Sequence, residues 1–272
     1  MTTPIKQLAA TFSALLETAH TLADLSGEVI LRRFRRPIPV EDKGSPVGFD
    51  PVTAADRDAE RVISRYLQRH HPSHSIVGEE HGAREGDGTS GLRWFVDPID
   101  GTKAFIMGSP LWGTLIGLLD GEVPLLGMMN QPFTGERVWT SRTASHWRTA
   151  DGRTRRIRTR ACGKIEHAIL TTTSPNLLDE GDRKKFFEVS ARARLTRYGG
   201  DCYGYCLLAG GHTDLLIETG LKPHDVVALI PIIERAGGRI TTWEGAPALK
   251  GGRIVAAGDP ALHAKVLKIL NA

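Results

Sequence analysis

The stretch Trp94-Phe95-Val96-Asp97-Pro98-Ile99-Asp100-Gly101-Thr102-Lys103 decides how the rest of the chain is read. It opens as a short apolar run of the kind that makes a buried strand. Two carboxylates then stand three residues apart across a proline, and a glycine and a threonine follow at once. Buried, unpaired carboxylates are too costly to serve as core residues, so Asp97 and Asp100 call for a cation. Pro98 stiffens the turn, which lets both side chains converge on one point while the Ile99 carbonyl faces the same way. Oxygen-only ligation of this kind suits Mg2+ rather than zinc. Gly101 and Thr102 would then offer backbone N–H groups to a phosphate at a helix start. The plain alternative is an aspartate-rich turn that only caps a helix.

At 272 residues the chain is long enough for one large domain or two modest ones sharing an interface. Its 40% apolar and 24% charged content is ordinary for a soluble globular protein. The formal charge of +4 suits an anionic small substrate without demanding nucleic acid. Cys162, Cys202 and Cys206 form no CxxC pair, which argues for reduced thiols in a cytoplasm and against a disulfide scaffold or zinc site. No basic-then-apolar signal opens the chain, and no apolar run approaches about 18 residues, so a soluble cytoplasmic protein without a membrane partner is expected.

Outward from the central stretch, residues 5–34 read as one amphipathic helix, with Ile5, Leu8, Ala9, Phe12, Leu15, Leu16, Ala19, Leu22 and Ala23 on one face. Arg32, Arg33, Arg35 and Arg36 suit its C-terminal end, before Pro37 and Pro39. Residues 38–52 read as a loop. A second helix starts near Ala54, with Thr53 as N-cap and Asp56 at the capping-box position. Ser75 to Gly78 is a short strand delivering Glu79 and Glu80, and Gly82 to Gly91 a flexible loop. Asp120-Gly121 marks a hairpin between 112–119 and 123–129, with a further strand at 136–140. The arginine-rich run 153–160 reads as a domain junction. Beyond it come strands at 168–172, 214–218 and 253–257, alternating with helices at 182–191, 203–209, 223–236 and 260–270, an α/β pattern.

Glu79, Asp97, Asp100 and Asp225 therefore stand at the ends of apolar runs. Together with a phosphate seat they are what a two-metal phosphatase requires, since paired cations clamp the attacking and leaving oxygens of an in-line displacement. Accelerations of phosphate-monoester hydrolysis reach ~10²¹, whereas side-chain acid–base catalysis supplies only about 10²–10⁴. Metals and charge stabilisation must carry much of the difference.

Gly78-Glu79-Glu80, Asp97-Pro98-Ile99-Asp100-Gly101-Thr102 and Asp225 before Ala228 resemble, in this order, the three signatures of the inositol monophosphatase superfamily, and the similarity covers essentially the whole chain. The resemblance implies a layered αβαβα fold, with an N-terminal α+β half (1–148) carrying the metal-binding motifs and a C-terminal α/β half (149–272) completing the site. It implies two or three Mg2+ ions. One would sit on Glu79, Asp97 and the Ile99 carbonyl, a second on Asp97, Asp100 and Asp225, and a weaker third near Glu79. Asp56, closing the Asp-x-x-Thr-x-x-Asp run from Asp50, matches the aspartate that pairs with the threonine at Thr102 to polarise the attacking water. Family members are commonly dimers, so a homodimer is expected, with the hairpin sheet as its interface.

Within that superfamily, several blocks look like the histidinol-phosphate phosphatase branch. They are Gly78 to Gly82, Gly113 to Ile116, Asn130-Gln131-Pro132, Tyr198 to Tyr205 and Gly220 to Asp225. His224 stands where inositol phosphatases usually have tryptophan. The implied substrate, L-histidinol phosphate, carries an ammonium and a protonatable imidazole. Asp201 could pair with that cation, a charge-assisted bond worth about 1.5–3 kcal/mol, although an N-cap for a helix from Cys202 is its other reading. Glu218 matches a family position that contacts the substrate alcohol. The alternatives are a broad-specificity inositol-1-phosphate or sugar phosphate phosphatase, and a catalytically silent RNA-binding relative using the arginine clusters. The intact set of acids counts against silence.

Overall fold

The computed structural model describes residues 4–44 and 48–272, with side chains from Thr11 onward. Ile5, Leu8 and Ala9 of the expected apolar stripe, and Pro46 of the expected loop, therefore lie outside the described side chains. Helix α1 (Pro4–Leu31) ends three residues short of the expected end at 34, so the Arg cluster follows the helix. Arg35 adopts a left-handed φ of 57° there, and its Nε donates to the Gly108 carbonyl. The expected loop 38–52 is in part a two-stranded antiparallel ribbon, β1 (Val40–Asp42) on β2 (Pro51–Thr53). Thr53 then caps α2 (Ala54–His70) in a capping box with Asp56.

The first half continues through β3 (Ser75–Gly78), β4 (Gly82–Arg84), β5 (Leu92–Asp100), the short helix α3 (Thr102–Ile106), β6 (Gly113–Asp120), β7 (Val123–Gln131), β8 (Glu136–Thr140), β9 (Ser145–Arg148) and β10 (Thr154–Ile157). These strands form one eight-stranded sheet in the order β10-β9-β8-β7-β6-β5-β3-β4. Only the β3–β5 pair is parallel. The start of the expected 82–91 loop is thus an edge strand, and the arginine run supplies the opposite edge, because β10 pairs with β9.

The chain then runs through β11 (Ile169–Thr172), α4 (Glu180–Ser190), β12 (Leu195–Tyr198), α5 (Asp201–Ala209), β13 (Leu215–Leu221), α6 (Pro223–Val226), α7 (Leu229–Ala236), β14 (Arg239–Thr242), β15 (Gly252–Ala257) and α8 (Pro260–Leu270). The five strands order β12-β11-β13-β15-β14, the first three parallel. One continuous helix over 223–236 does not form. Pro231 has no N–H for the Val227 carbonyl and its ring would clash there, so the helix breaks at 227–228. That break packs where Gly117 and Gly127 leave room: a Cβ at Gly127 would lie 1.9 Å from the Ala228 oxygen.

Five layers result. Leu15, Leu22, Ile63 and Leu67 of α1 and α2 cover Trp94, Val96, Ile116 and Leu118 of the first sheet. Cys202, Tyr205, Leu229 and Ile233 of α5 and α7 fill the space between the two sheets, against Leu115, Met129, Leu216 and Ile254. Phe186, Val189, Leu262 and Val266 of α4 and α8 close the far face on Leu215, Ile217 and Val255. The period-2 alternation of a strand, with Leu216 inward and Leu215 and Ile217 outward, is what lets β13 serve two cores at once. No helix among the described residues is long and apolar enough to cross a membrane.

Candidate active site

The cleft forms where β5 leaves its ladder. Asp97 lies opposite Leu115 and Asp100 opposite Gly113, so β5 carries one extra residue between them. In a regular strand, residues three apart face opposite sides, and a bulge re-aims them. Pro98 sits in the bulge, where its missing N–H costs nothing, and its carbonyl accepts the Thr114 hydroxyl at 2.8 Å. Carboxylate oxygens of Asp97, Asp100 and Asp225 consequently lie within 4.8 Å of one another. Asp225 reaches them from the first turn of α6, where its Oδ2 also accepts the Lys222 N–H at 2.7 Å.

Glu79 lines the same cavity, of about 220 Å³. Its carboxylate is engaged by Lys43, whose Nζ lies 2.7 Å from Glu79 and 2.9 Å from Glu80. Burial would raise the Glu79 carboxyl, but the Lys43 ammonium holds it below its ordinary value. Beneath this turn, Glu60 accepts the N–H groups of Glu80 (2.7 Å) and His81 (2.9 Å). A Cβ at Gly78 would lie 2.0 Å from Glu60 Oε1, so a larger residue there would push the Glu60 carboxylate off these N–H groups.

Asp56 is fully buried. Its Oδ2 takes the N–H and hydroxyl of Thr53 at 2.9 and 2.6 Å, and the Thr102 hydroxyl stands 3.4 Å from Oδ1. That hydroxyl also reaches the Ile99 carbonyl at 3.1 Å. Burial, opposed by the Thr53 hydrogen bonds, lifts the Asp56 carboxyl to about 6. Gly101, with φ +90°, turns the chain between the bulge and α3.

The second sheet brings two more acids. Asp201 does not cap α5: it is the first helical residue, follows Gly200, and has a φ of 43°. The Cys202 N–H, one of the donors the first turn of α5 leaves free, goes to Asp100 Oδ1 at 2.7 Å. Glu218 is buried, with Oε1 taken by the Thr173 N–H and hydroxyl at 2.9 and 2.5 Å and Oε2 by the Tyr205 hydroxyl at 3.0 Å. Burial first, then Glu218, lifts Asp201 to about 7, and burial lifts Asp225 to about 7. Asp97 and Asp100 are likewise held well above the ordinary carboxylate range by burial and by the neighbouring carboxylates.

Oxygen donors at this spacing, with Asp97, Asp100 and Asp225 raised by burial and by neighbouring carboxylates, make a site suited to a hard divalent cation. His224, held near 4 by burial, lines an adjoining groove rather than the cavity, and His81 turns to Glu60. Sequence reasoning missed three residues. Lys43 and Lys103 carried no local signal, although Lys103 lines the cavity beside Thr102. Glu60 did carry one: it sits four residues after Asp56, on the buried face of α2.

The inositol monophosphatase family model matches residues 12–272. Bifunctional phosphatase IMPL2 of Arabidopsis thaliana, a chloroplastic protein, is 42% identical over 266 residues, covering 93% of this chain and 73% of that protein. The histidinol-phosphatase of Mycobacterium tuberculosis is 34% identical, covering 94% of this chain and 98% of its own. Among solved structures, an inositol monophosphatase from Zymomonas mobilis superposes with a TM-score of 0.82 at 37% identity, covering 96% of this chain and 99% of that one. A layered fold with this acidic cleft, matched over nearly its full length, makes the chain a phosphatase that belongs to the inositol monophosphatase family.

Proposed function

We propose that the protein is a Mg2+-dependent phosphomonoesterase that hydrolyses L-histidinol phosphate to L-histidinol and phosphate. The observation that carries this reading is the pair of acids, Asp201 and Glu218, lining the cavity beside the Asp97–Asp100–Asp225 cluster. They offer negative charge to a cationic leaving alcohol, where an uncharged polyol would need only neutral partners. Relatives named histidinol-phosphatase, 32–34% identical over nearly full length, support it.

Asp97, Asp100, Asp225, Glu79 and the Ile99 carbonyl would hold the cations. Bound there, Mg2+ supplies Lewis-acid polarisation of the phosphoryl oxygens and a more acidic water. The chain's own part is positional. Thr102 points its single proton toward Asp56 Oδ1 and the Ile99 carbonyl. Its oxygen lone pairs are thereby left to accept from an attacking water. Asp56 is kept in place by the α2 capping box, so the water-orienting pair rests on a helix start rather than on a free loop. Gly101 and Thr102 would present backbone N–H groups to the phosphate. Thr173 and Tyr205 hold the Glu218 carboxylate in the cavity wall, where it would meet the substrate alcohol.

A broad inositol-1-phosphate or sugar phosphate phosphatase is the second reading, favoured by the 37% identity to the Zymomonas mobilis inositol monophosphatase. Phosphate release from histidinol phosphate and from inositol-1-phosphate, in parallel with Mg2+ and with EDTA, separates the two. A large kcat/KM advantage for histidinol phosphate, abolished by EDTA, is expected. Equal or reversed preference would remove the histidinol assignment and leave the metal site.

A further inference from the structure

The parallel strands β11, β12 and β13 point their C-terminal ends at the acidic cleft. Their opposite ends border a second cavity, of about 750 Å³, open to solvent. That volume lies within the ordinary range of small-molecule sites, about 300–1,000 Å³. Its charge is the reverse of the cleft's: Arg160, Lys164, Arg194 and Lys265 line it, against the single carboxylate of Asp214.

These cations arrive from separate parts of the fold. Arg160 and Lys164 belong to the connector between the sheets, Arg194 to the turn before β12, and Lys265 to α8. Asp214 is 1% exposed and immediately precedes β13. It receives Arg160 Nε at 2.7 Å and Nη2 at 2.6 Å, and the N–H of Ile169, the first residue of β11, at 2.8 Å. A buried carboxylate thus pins one edge of the guanidinium fork, while the Arg160 side chain stays 44% exposed and keeps its Nη1 donors for another acceptor. Lys265 is likewise fixed, with Nζ on the Gly163 carbonyl at 2.7 Å. Among the described residues neither Lys164 nor Arg194 has an acidic partner. Like charges gathered in one groove repel each other, and Asp214 answers only one of the four.

We propose that this groove is a binding site for a small, multiply charged anion bearing phosphoryl or carboxyl groups, separate from the acidic cleft and at the other end of the same strands. Arg160 supplies the pre-oriented fork, and Lys164 and Arg194 supply the uncommitted charge. Cys162, in the groove wall, reports on occupancy, because Cys202 and Cys206 are buried.

The test titrates the full chain with inorganic pyrophosphate and, separately, with citrate, both at low salt after divalent cations have been stripped with a chelating resin. Without a divalent cation the acids of the cleft repel anions, so binding reads the groove. Saturable binding that weakens as salt rises and slows alkylation of Cys162 is expected. Binding of pyrophosphate alone would assign the phosphoryl class, and of citrate alone the carboxyl class. The double variant Lys164→Ala/Arg194→Ala should lose at least roughly tenfold in affinity, the loss expected for charge-assisted contacts, with phosphate release at the cleft unchanged. No saturable binding of either anion, or equal binding by the double variant, would overturn the proposal.

Discussion

The backbone N–H of Cys202 donates to Oδ1 of Asp100 at 2.7 Å, tying the first turn of α5 to the bulged end of β5. One carboxylate therefore serves both the acid cluster and the seam between the two sheets. Asp100→Asn keeps an acceptor for that N–H and removes a charge lying near Asp201 and Asp225. The cation-free protein is expected to melt at an equal or higher temperature than wild type, while Mg2+ affinity falls at least roughly tenfold. Asp100→Ala orphans the N–H and is expected to cost about 1–3 kcal/mol. Thermal melts in EDTA and in Mg2+ check both; a lower cation-free melting temperature for the Asn variant would contradict the repulsion.

Thr102→Val removes the hydroxyl between Asp56 and the Ile99 carbonyl while preserving shape. A fall in kcat of about 10²–10⁴, the range of proton-handling groups, is expected with KM nearly unchanged. Single-turnover phosphate release measures it, and a fall of less than about threefold would remove Thr102 from the water-orienting role.

Asp201→Asn tests substrate charge. A loss of one charge-assisted contact predicts roughly a ten- to a hundredfold drop in kcat/KM for histidinol phosphate, with little change for inositol-1-phosphate. Equal loss on both substrates would assign Asp201 to the fold of the cleft instead.

Lys103 is exposed at the mouth of the cavity, and no acid pairs with it among the described residues. Lys103→Met is expected to raise KM for every phosphate ester several-fold, by about 1 kcal/mol of lost exposed ion pairing, and to weaken inhibition by inorganic phosphate in step. Inhibition by phosphate that matches wild type would exclude a phosphate contact.

His263 is buried on α8, with Nε2 3.0 Å from the Thr241 hydroxyl. Burial, helped by Arg239, lowers it from 6.5 to about 4. A depressed histidine binds its proton more readily in the unfolded chain, so its contribution is complete above about pH 6.5 and is lost as pH falls toward 4. The expected loss is on the order of 1–2 kcal/mol, after allowance for solvent reaching the ring. Urea melts of wild type and His263→Gln across pH 7 to 4 measure it, and the variant should show the shallower slope.

What the residues determined by themselves was local. The Asp120-Gly121 turn forms its hairpin, Thr53 and Asp56 form their capping box, and the Asp97-to-Thr102 run ends a buried strand, because each depends on neighbours a few positions away. The break at 227–228 is equally local, written in Pro231. The rest belongs to tertiary structure. Lys43 meets Glu79 across 36 residues, Glu60 supports the turn between β3 and β4 from helix α2, and the Cys202 N–H crosses 102 residues to Asp100. Periodicity says which face of an element is buried, but a single long-range polar contact has no period. It is set by the register of two sheets and the bulge in β5, and those exist only once the layers have packed.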